Sequence, residues 1–265
     1  MKLGFHGNTS LPAFSEMAGK LVRHLRKEDQ IESETARVLG MKGVPLSKMD
    51  VDVLIVLGGD GTMLRAFMRC DLPLFGINAG KVGFLTQGNA MEMDTLIPRL
   101  RAGLFEIEEA MKLSPRINGR RKADAVNEAV VHSSDIGKVR HFNISIGRHE
   151  VGIVRADGII ISTPTGSTSY SLAAGGPIVD PSASVIVVSP IAPYGISSRP
   201  IVCAPDAGIR ITIEGERPCK LVIDGQVSLK LSGSEVLEFT ASKKRARFVR
   251  LEHDFYSRIR SKLTV

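Results

Sequence analysis

The stretch VLIVLGGDGTML, Val53–Leu64, sets one carboxylate among three glycines directly after an aliphatic run. Gly58, Gly59 and Gly61 let the chain turn sharply after a strand and approach a ligand without Cβ obstruction. A glycine-rich turn between a strand and a helix ordinarily cradles phosphate through backbone N–H groups and the helix dipole. A carboxylate repels phosphate, so Asp60 needs another reason to be there. Either it caps the helix, accepting from the N–H of Thr62 or Met63, or it faces something that carries a proton or a metal. A carboxylate can take the proton of an attacking hydroxyl, and it can help hold Mg2+ against phosphates. Both roles belong to phosphoryl transfer to an alcohol.

Farther along, Ser162–Pro181 reads STPTGSTSYSLAAGGPIVDP. Thr165, Ser167, Thr168, Ser169 and Ser171 supply hydroxyls, Gly166 permits close approach, and Tyr170 adds a flat apolar face with a polar tip. The adjoining AAGGP favours tight packing over a plain surface loop. Between the two stretches, Asn127 and Glu128 form a short polar pair suited to vicinal ribose hydroxyls; alternatively, they end a turn and begin a strand. Asp157 precedes Gly158 at the head of an apolar run, a common turn arrangement. Arg65 lies one helical turn beyond Asp60, within reach of a phosphate, or else on a solvated face. The six histidines show no metal-ligand spacing, which argues against a structural zinc.

These residues need elements to hold them. Residues 1–103 alternate strand and helix and read as a Rossmann-like α/β domain with a parallel sheet, its ligands at the carboxyl ends of the strands. Strands are expected at Lys2–Gly7, Val51–Leu57 and Leu72–Ile77. Helices are expected after a Ser10 cap with Pro12 in the first turn, over Gly61–Arg69, and over Met91–Arg101. Leu11, Phe14, Ala18, Leu21 and Leu25 fall on one face of the first helix. Residues 104–252 carry short β-rich runs divided by Gly, Pro, Asn and Asp, the pattern of a β-sandwich-like domain. The runs are Glu128–His132, Phe142–Gly147, Ile153–Ser162, Val185–Ser189, Ile209–Glu214, Leu221–Ile223, Val236–Phe239 and Ala246–Leu251. Thr165–Ala174 is expected as a loop with a short helix, and Lys243–Arg247 (KKRAR) as a solvated loop. Residues 253–265 hold a final helix, Phe255–Leu263, expected to pack back on the first domain.

Composition narrows the function classes. The chain of 265 residues is 43% hydrophobic and 24% charged, as a soluble globular protein of two domains would be. No run approaches the ~18 apolar residues of a membrane span, and MKLGFHGN reads as a strand rather than a signal peptide. Three scattered cysteines form no framework, which fits a reducing cytoplasm. The net charge of +7 suits anionic ligands. With three tyrosines and no tryptophan there are few platforms for stacked bases, so no nucleic-acid or membrane partner is expected.

GGDGT resembles a signature shared by NAD kinases, diacylglycerol and sphingosine kinases and, more distantly, phosphofructokinases. TPTGSTSYSLAAGGPIV is similar to the NAD kinase form TPTGSTAYSLSAGGPIV, from which it departs at Ser169 and Ala173. The NE pair and the later DGQ, Asp224–Gln226, occur in the order that family shows. The resemblance runs from about Val53 to Gln226 and implies transfer of a phosphoryl group from ATP, another nucleoside triphosphate or polyphosphate to the 2′-hydroxyl of the adenosine ribose of NAD. It implies Asp60 as base beside Gly61, with Asn127 and Glu128 on the ribose. The rest of the dinucleotide falls to Asp157, Thr168, Ser169, Tyr170, Ser171, Leu172 and Ala173, with Gln226. Lys138 and Arg155 fall where the family often places basic or polar contacts. The family implies a homodimer or homotetramer and a divalent cation, Mg2+ or Mn2+. The cation is expected on the donor phosphates, because the sequence offers no carboxylate cage, and the donor, with no GxxxxGK[ST] loop present, is expected to be held by the glycine turn and nearby cations. A lipid kinase would share GGDGT without the second signature, and a non-catalytic NAD(P)-sensing module would lose the base.

Overall fold

A computed structural model describes residues 1–80, 83–135, 137–195, 198–215 and 217–263, so Thr264 and Val265 of the expected terminal segment lie outside it. The chain divides into two compact units, Met1–Glu109 with Ala246–Val265, and Ala110–Arg245.

The first unit is built on β1 (Leu3–Gly7), α1 (Phe14–Val22), β2 (Gln30–Ile31), α2 (Ser33–Val38), β3 (Val53–Leu57), α3 (Asp60–Arg69), β4 (Leu74–Asn78), β5 (Gly88–Asn89) and α4 (Met93–Arg101). The pairs β1/β2, β1/β3 and β3/β4 are parallel. Every residue of β3 is buried, which explains its unbroken aliphatic sequence: both faces of a parallel sheet are covered. Phe14, Met17, Ala18 and Leu21 of α1 join Leu3, Phe5, Val53, Ile55 and Leu57 in one core cluster, with Leu11 and Leu25 packed at its margin. Ser10 does not cap α1. The helix begins at Phe14 with Ala13 at its N-cap and no side-chain cap. Asn8 Oδ1 instead accepts from the Ser10 N–H at 3.2 Å, closing a turn that keeps Pro12 ahead of the helix.

The second unit begins within β6 (Glu106–Ile117), followed by β7 (Arg120–Arg121), β8 (Glu128–Ser133), β9 (Arg140–Ile146), β10 (His149–Ala156), β11 (Gly158–Ser162) and the single-turn α5 (Tyr170–Ala173). Then come β12 (Ile186–Ile191), β13 (Ile201–Cys203), β14 (Ile209–Ile213), β15 (Cys219–Ile223), β16 (Val227–Leu231) and β17 (Leu237–Arg250). One antiparallel sheet has the order β13-β12-β11-β8-β15-β16; a second ladder runs β10-β9-β14 and on to the first residues of β17. The run expected as one strand over Ile153–Ser162 is two. Asp157 donates its N–H to Ile191 O and accepts from Ser133 N, so the chain leaves the β9 partner of β10 and joins β8 and β12. KKRAR is not a loop but part of β17, with Lys243, Lys244 and Arg245 exposed on the strand. Past Arg245 the chain belongs again to the first unit, where Phe248 of β17 pairs Leu74 in parallel. It ends in α6 (Phe255–Leu263).

Candidate active site

Asp60 is not the helix cap. Gly59 holds that position without a side-chain bond, and its carbonyl receives the N–H of Thr62 and Met63. Asp60, the first residue of α3, turns its carboxylate to residues 84–86. Oδ2 accepts from Phe84 N at 2.8 Å, and Oδ1 from Leu85 N at 3.1 Å and Thr86 N at 3.3 Å. A carboxylate offers roughly four acceptor directions; the described residues use three of them, leaving one on Oδ2. The buried strand β3 and the glycines after it bring this group to the carboxyl edge of the sheet. Gly61 and Arg65 are exposed on α3, Arg65 one turn beyond.

In the second unit Asn127 and Glu128 lie at the start of β8, each 6% exposed. Among the described residues, Asn127 Oδ1 and Glu128 Oε2 are buried without a hydrogen-bond partner. The backbone that carries them is fixed by Asp224, which accepts from the N–H groups of Val126, Asn127 and Glu128 at 2.7, 2.8 and 3.0 Å. Burial drives the Glu128 carboxyl up to about 8, helped by the nearby Asp224 charge and opposed by a Ser169 hydrogen bond. Burial raises Asp224 to about 6, opposed by its three backbone donors. Glu128 is therefore a neutral acid at pH 7, able to donate as well as accept.

Thr165–Thr168 forms a short 3-10 turn that leads into α5. A Cβ on Gly166 would lie 2.1 Å from the Asn127 carbonyl oxygen, so only glycine lets this turn close on the NE pair. Thr163 Oγ1 donates to Val126 O at 2.6 Å, and the Gly166 N–H donates to Thr163 Oγ1 at 3.1 Å. The turn, the NE pair and Asp224 thus form one packed cluster.

The ATP-NAD kinase N-terminal domain matches residues 5–105, and the ATP-NAD kinase C-terminal domain matches residues 126–251. The NAD kinase of Thermoplasma acidophilum is 37% identical over 266 residues, covering 99% of this chain and 98% of the relative. The chain belongs to the NAD kinase family. The NAD kinase of Thermococcus gammatolerans is 42% identical over 219 residues, spanning 81% of this chain and 79% of its own. The crystal structure of an Archaeoglobus fulgidus NAD kinase in complex with ATP superposes with a TM-score of 0.80 at 26% identity, over 98% of this chain and 99% of that one. Yeast NADH kinase, complexed with NADH, shares the fold at a TM-score of 0.91 and 22% identity, over 99% and 87% of the two chains. Both domains matched are those of NAD kinases, so the lipid-kinase alternative is set aside.

The other residues that the NAD kinase resemblance nominated are spread over the second unit. Thr168, Ser169 and Leu172 are half-buried, whereas Tyr170 and Ala173 are exposed. Ser171 is fully buried, its hydroxyl 3.0 Å from that of Ser189, so in this structure it ties α5 to β12. Lys138 is exposed on the loop before β9. Arg155 is exposed too and lies over the Tyr194 ring at 4.4 Å. Asp157 is half-buried at the crossing between β10 and β11. Gln226 is exposed and donates to the Asp224 carbonyl at 3.3 Å. The DGQ motif offers Gln226 as a candidate, yet Asp224 of the same motif is the residue that holds the NE backbone; DGQ itself is the signal for it.

Proposed function

We propose that the protein phosphorylates the 2′-hydroxyl of the adenosine ribose of NAD, with ATP or a related phosphoryl donor, to form NADP. The reading rests on one observation above the family membership: two buried oxygens of the NE pair have no hydrogen-bond partner among the described residues. An unpaired buried polar group costs roughly 1–3 kcal/mol, and vicinal ribose hydroxyls, which both donate and accept, can pair with each atom. On this reading Asn127 and Glu128 hold the ribose, and the remaining lone pair of Asp60 Oδ2 receives the proton of the attacking hydroxyl. Thr168–Ala173, Asp157 and Gln226 bind the rest of the dinucleotide. Arg65, Lys138 and Arg155 serve as cations for phosphate.

Among the described residues no group of three or more His, Cys, Asp or Glu could hold a metal ion. We assign the cation, Mg2+ or Mn2+, to the donor, entering as its phosphate complex. We further assign the enzyme to the cytoplasm, which suits its three free cysteines. None of the described helices is long and apolar enough to cross a membrane. A homo-oligomer built through the second unit is also part of the proposal.

The test is an assay that couples NADP formation to a NADP-specific dehydrogenase, with ATP and with polyphosphate as donors. NADP produced with at least one donor is expected; none with either would overturn the reading.

A further inference from the structure

Residues 83–86 are gripped from both sides. The N–H groups of Phe84, Leu85 and Thr86 serve Asp60, and the carbonyls of residues 83–86 face two arginines of the same unit. Arg258 Nη1 on α6 lies 2.9 Å from Gly83 O, 3.0 Å from Phe84 O and 2.5 Å from Thr86 O. Arg250 Nη1, at the end of β17, lies 3.4 Å from Leu85 O. The peptide group that gives its N–H from Phe84 to Asp60 is the one whose carbonyl, Gly83 O, accepts from Arg258. The Leu85 N–H and Phe84 O form a second such bridge to Arg258, and the Thr86 N–H and Leu85 O a third, to Arg250. Three consecutive peptide dipoles therefore point their positive ends at the carboxylate and their negative ends at guanidinium groups. Hydrogen bonds in such chains polarise one another and strengthen.

The surroundings fix this arrangement. Arg258 is 6% exposed and is braced by Asp254, whose Oδ2 accepts from its Nε at 2.7 Å. Glu108 braces Arg250 through its Nε at 2.9 Å. Lys262 Nζ stands 5.4 Å from the centroid of the Phe84 ring. A Cβ on Gly83 would meet Asp60 Oδ1 at 1.9 Å, so the segment fits against the carboxylate only with glycine there.

We propose that Arg258 is a positioning residue for the reaction: its charge, relayed through the peptide groups of residues 83–86, orients the Asp60 carboxylate. The inference rests on the reading of Asp60 as base. Misplacing a reacting group by ~1 Å costs on the order of 10²-fold. Arg258→Ala is therefore expected to lower kcat by about that factor, with the Kd for NAD by calorimetry changed less than about threefold. Guanidinium at concentrations far below denaturation should restore part of the lost kcat. Arg258→Gln keeps the bulk and an N–H donor but drops the charge; it should remain folded and lose at least about tenfold in kcat, within the same range. In an Asp60→Asn background, Arg258→Gln should lower kcat no further. A wild-type kcat for Arg258→Gln, or a loss that adds in full to that of Asp60→Asn, overturns this inference. A wild-type kcat for Asp60→Asn instead overturns the reading of Asp60 as base, so the two failures are distinct.

Discussion

Replacing Asp60 by Asn changes two things at once. It removes the proton acceptor, and it sets an amide NH2 group against one of three backbone donors now served by the carboxylate. Loss of a general base typically costs ~10²–10⁴-fold in turnover, and that range is expected for kcat, with NAD binding largely kept. Turnover near the wild-type level would remove Asp60 from the chemistry. Glu128 yields a prediction in pH. The folded protein keeps its proton up to about 8, whereas the unfolded chain releases it near 4.5. Between those values the folded state holds more protons than the unfolded one, so this group favours the folded state at low pH. That advantage is lost as pH rises from about 4.5 to about 8. Urea unfolding of Glu128→Gln should therefore show a shallower fall in stability across this window than the parent; parallel curves would mean that Glu128 is ionised in the fold. As candidates, Asp60 stands out by the glycines around it, and Asn127 and Glu128 by residue type and by the order of the NE pair between the two signatures. The role of Asp224 was not legible, because it acts on backbone groups 96 to 98 residues away, so that DGQ marks the residue without showing what it holds.

The elements that hold these groups differ in how openly the sequence announces them. The all-buried β3 and β11 are plain as aliphatic runs, and α3 follows directly from the glycines that precede it. The break at Asp157 is marked in the sequence only by the Asp157–Gly158 pair, because it is a change of partner strand and not the end of a β-rich run. The long β17 is disguised by its exposed lysines and arginine, which resemble a solvated loop yet lie on a strand. Helix α2 owes its start to Glu32, whose carboxylate accepts from the N–H groups of Glu34 and Thr35; glutamate is not among the strongly favoured cap residues, so the sequence does not mark this start. At this scale Gly166 is the critical joint, because backbone atoms of Asn127 occupy the space a Cβ would need. Gly166→Ala is expected to destabilise the protein by roughly 1–3 kcal/mol, the usual cost of overpacking. A urea midpoint equal to that of the parent would show that the turn yields without cost.

For the whole molecule, the exposed apolar side chains of the second unit bear on assembly. Val151 and Ile153 on β10 are 43% and 55% exposed, and Val202 on β13 is 50% exposed; both strands are edges of their ladders. Apolar edge strands left open invite pairing with another chain. Light scattering at micromolar concentration is accordingly expected to report a dimer or larger, and a fully active monomer would contradict the proposed assembly. The two-part organisation was legible in the change from long βα alternation to short β runs. The return of residues 246–265 to the first unit was visible only as a terminal helix, without the β17 segment that leads to it. The most direct test of the whole account uses NAD beside an analogue that lacks only the adenosine 2′-hydroxyl, each incubated with ATP and Mg2+ and followed by phosphorus NMR. The account predicts a new 2′-phosphomonoester signal from NAD and none from the analogue. A phosphorylated analogue, or no product from NAD, would contradict it.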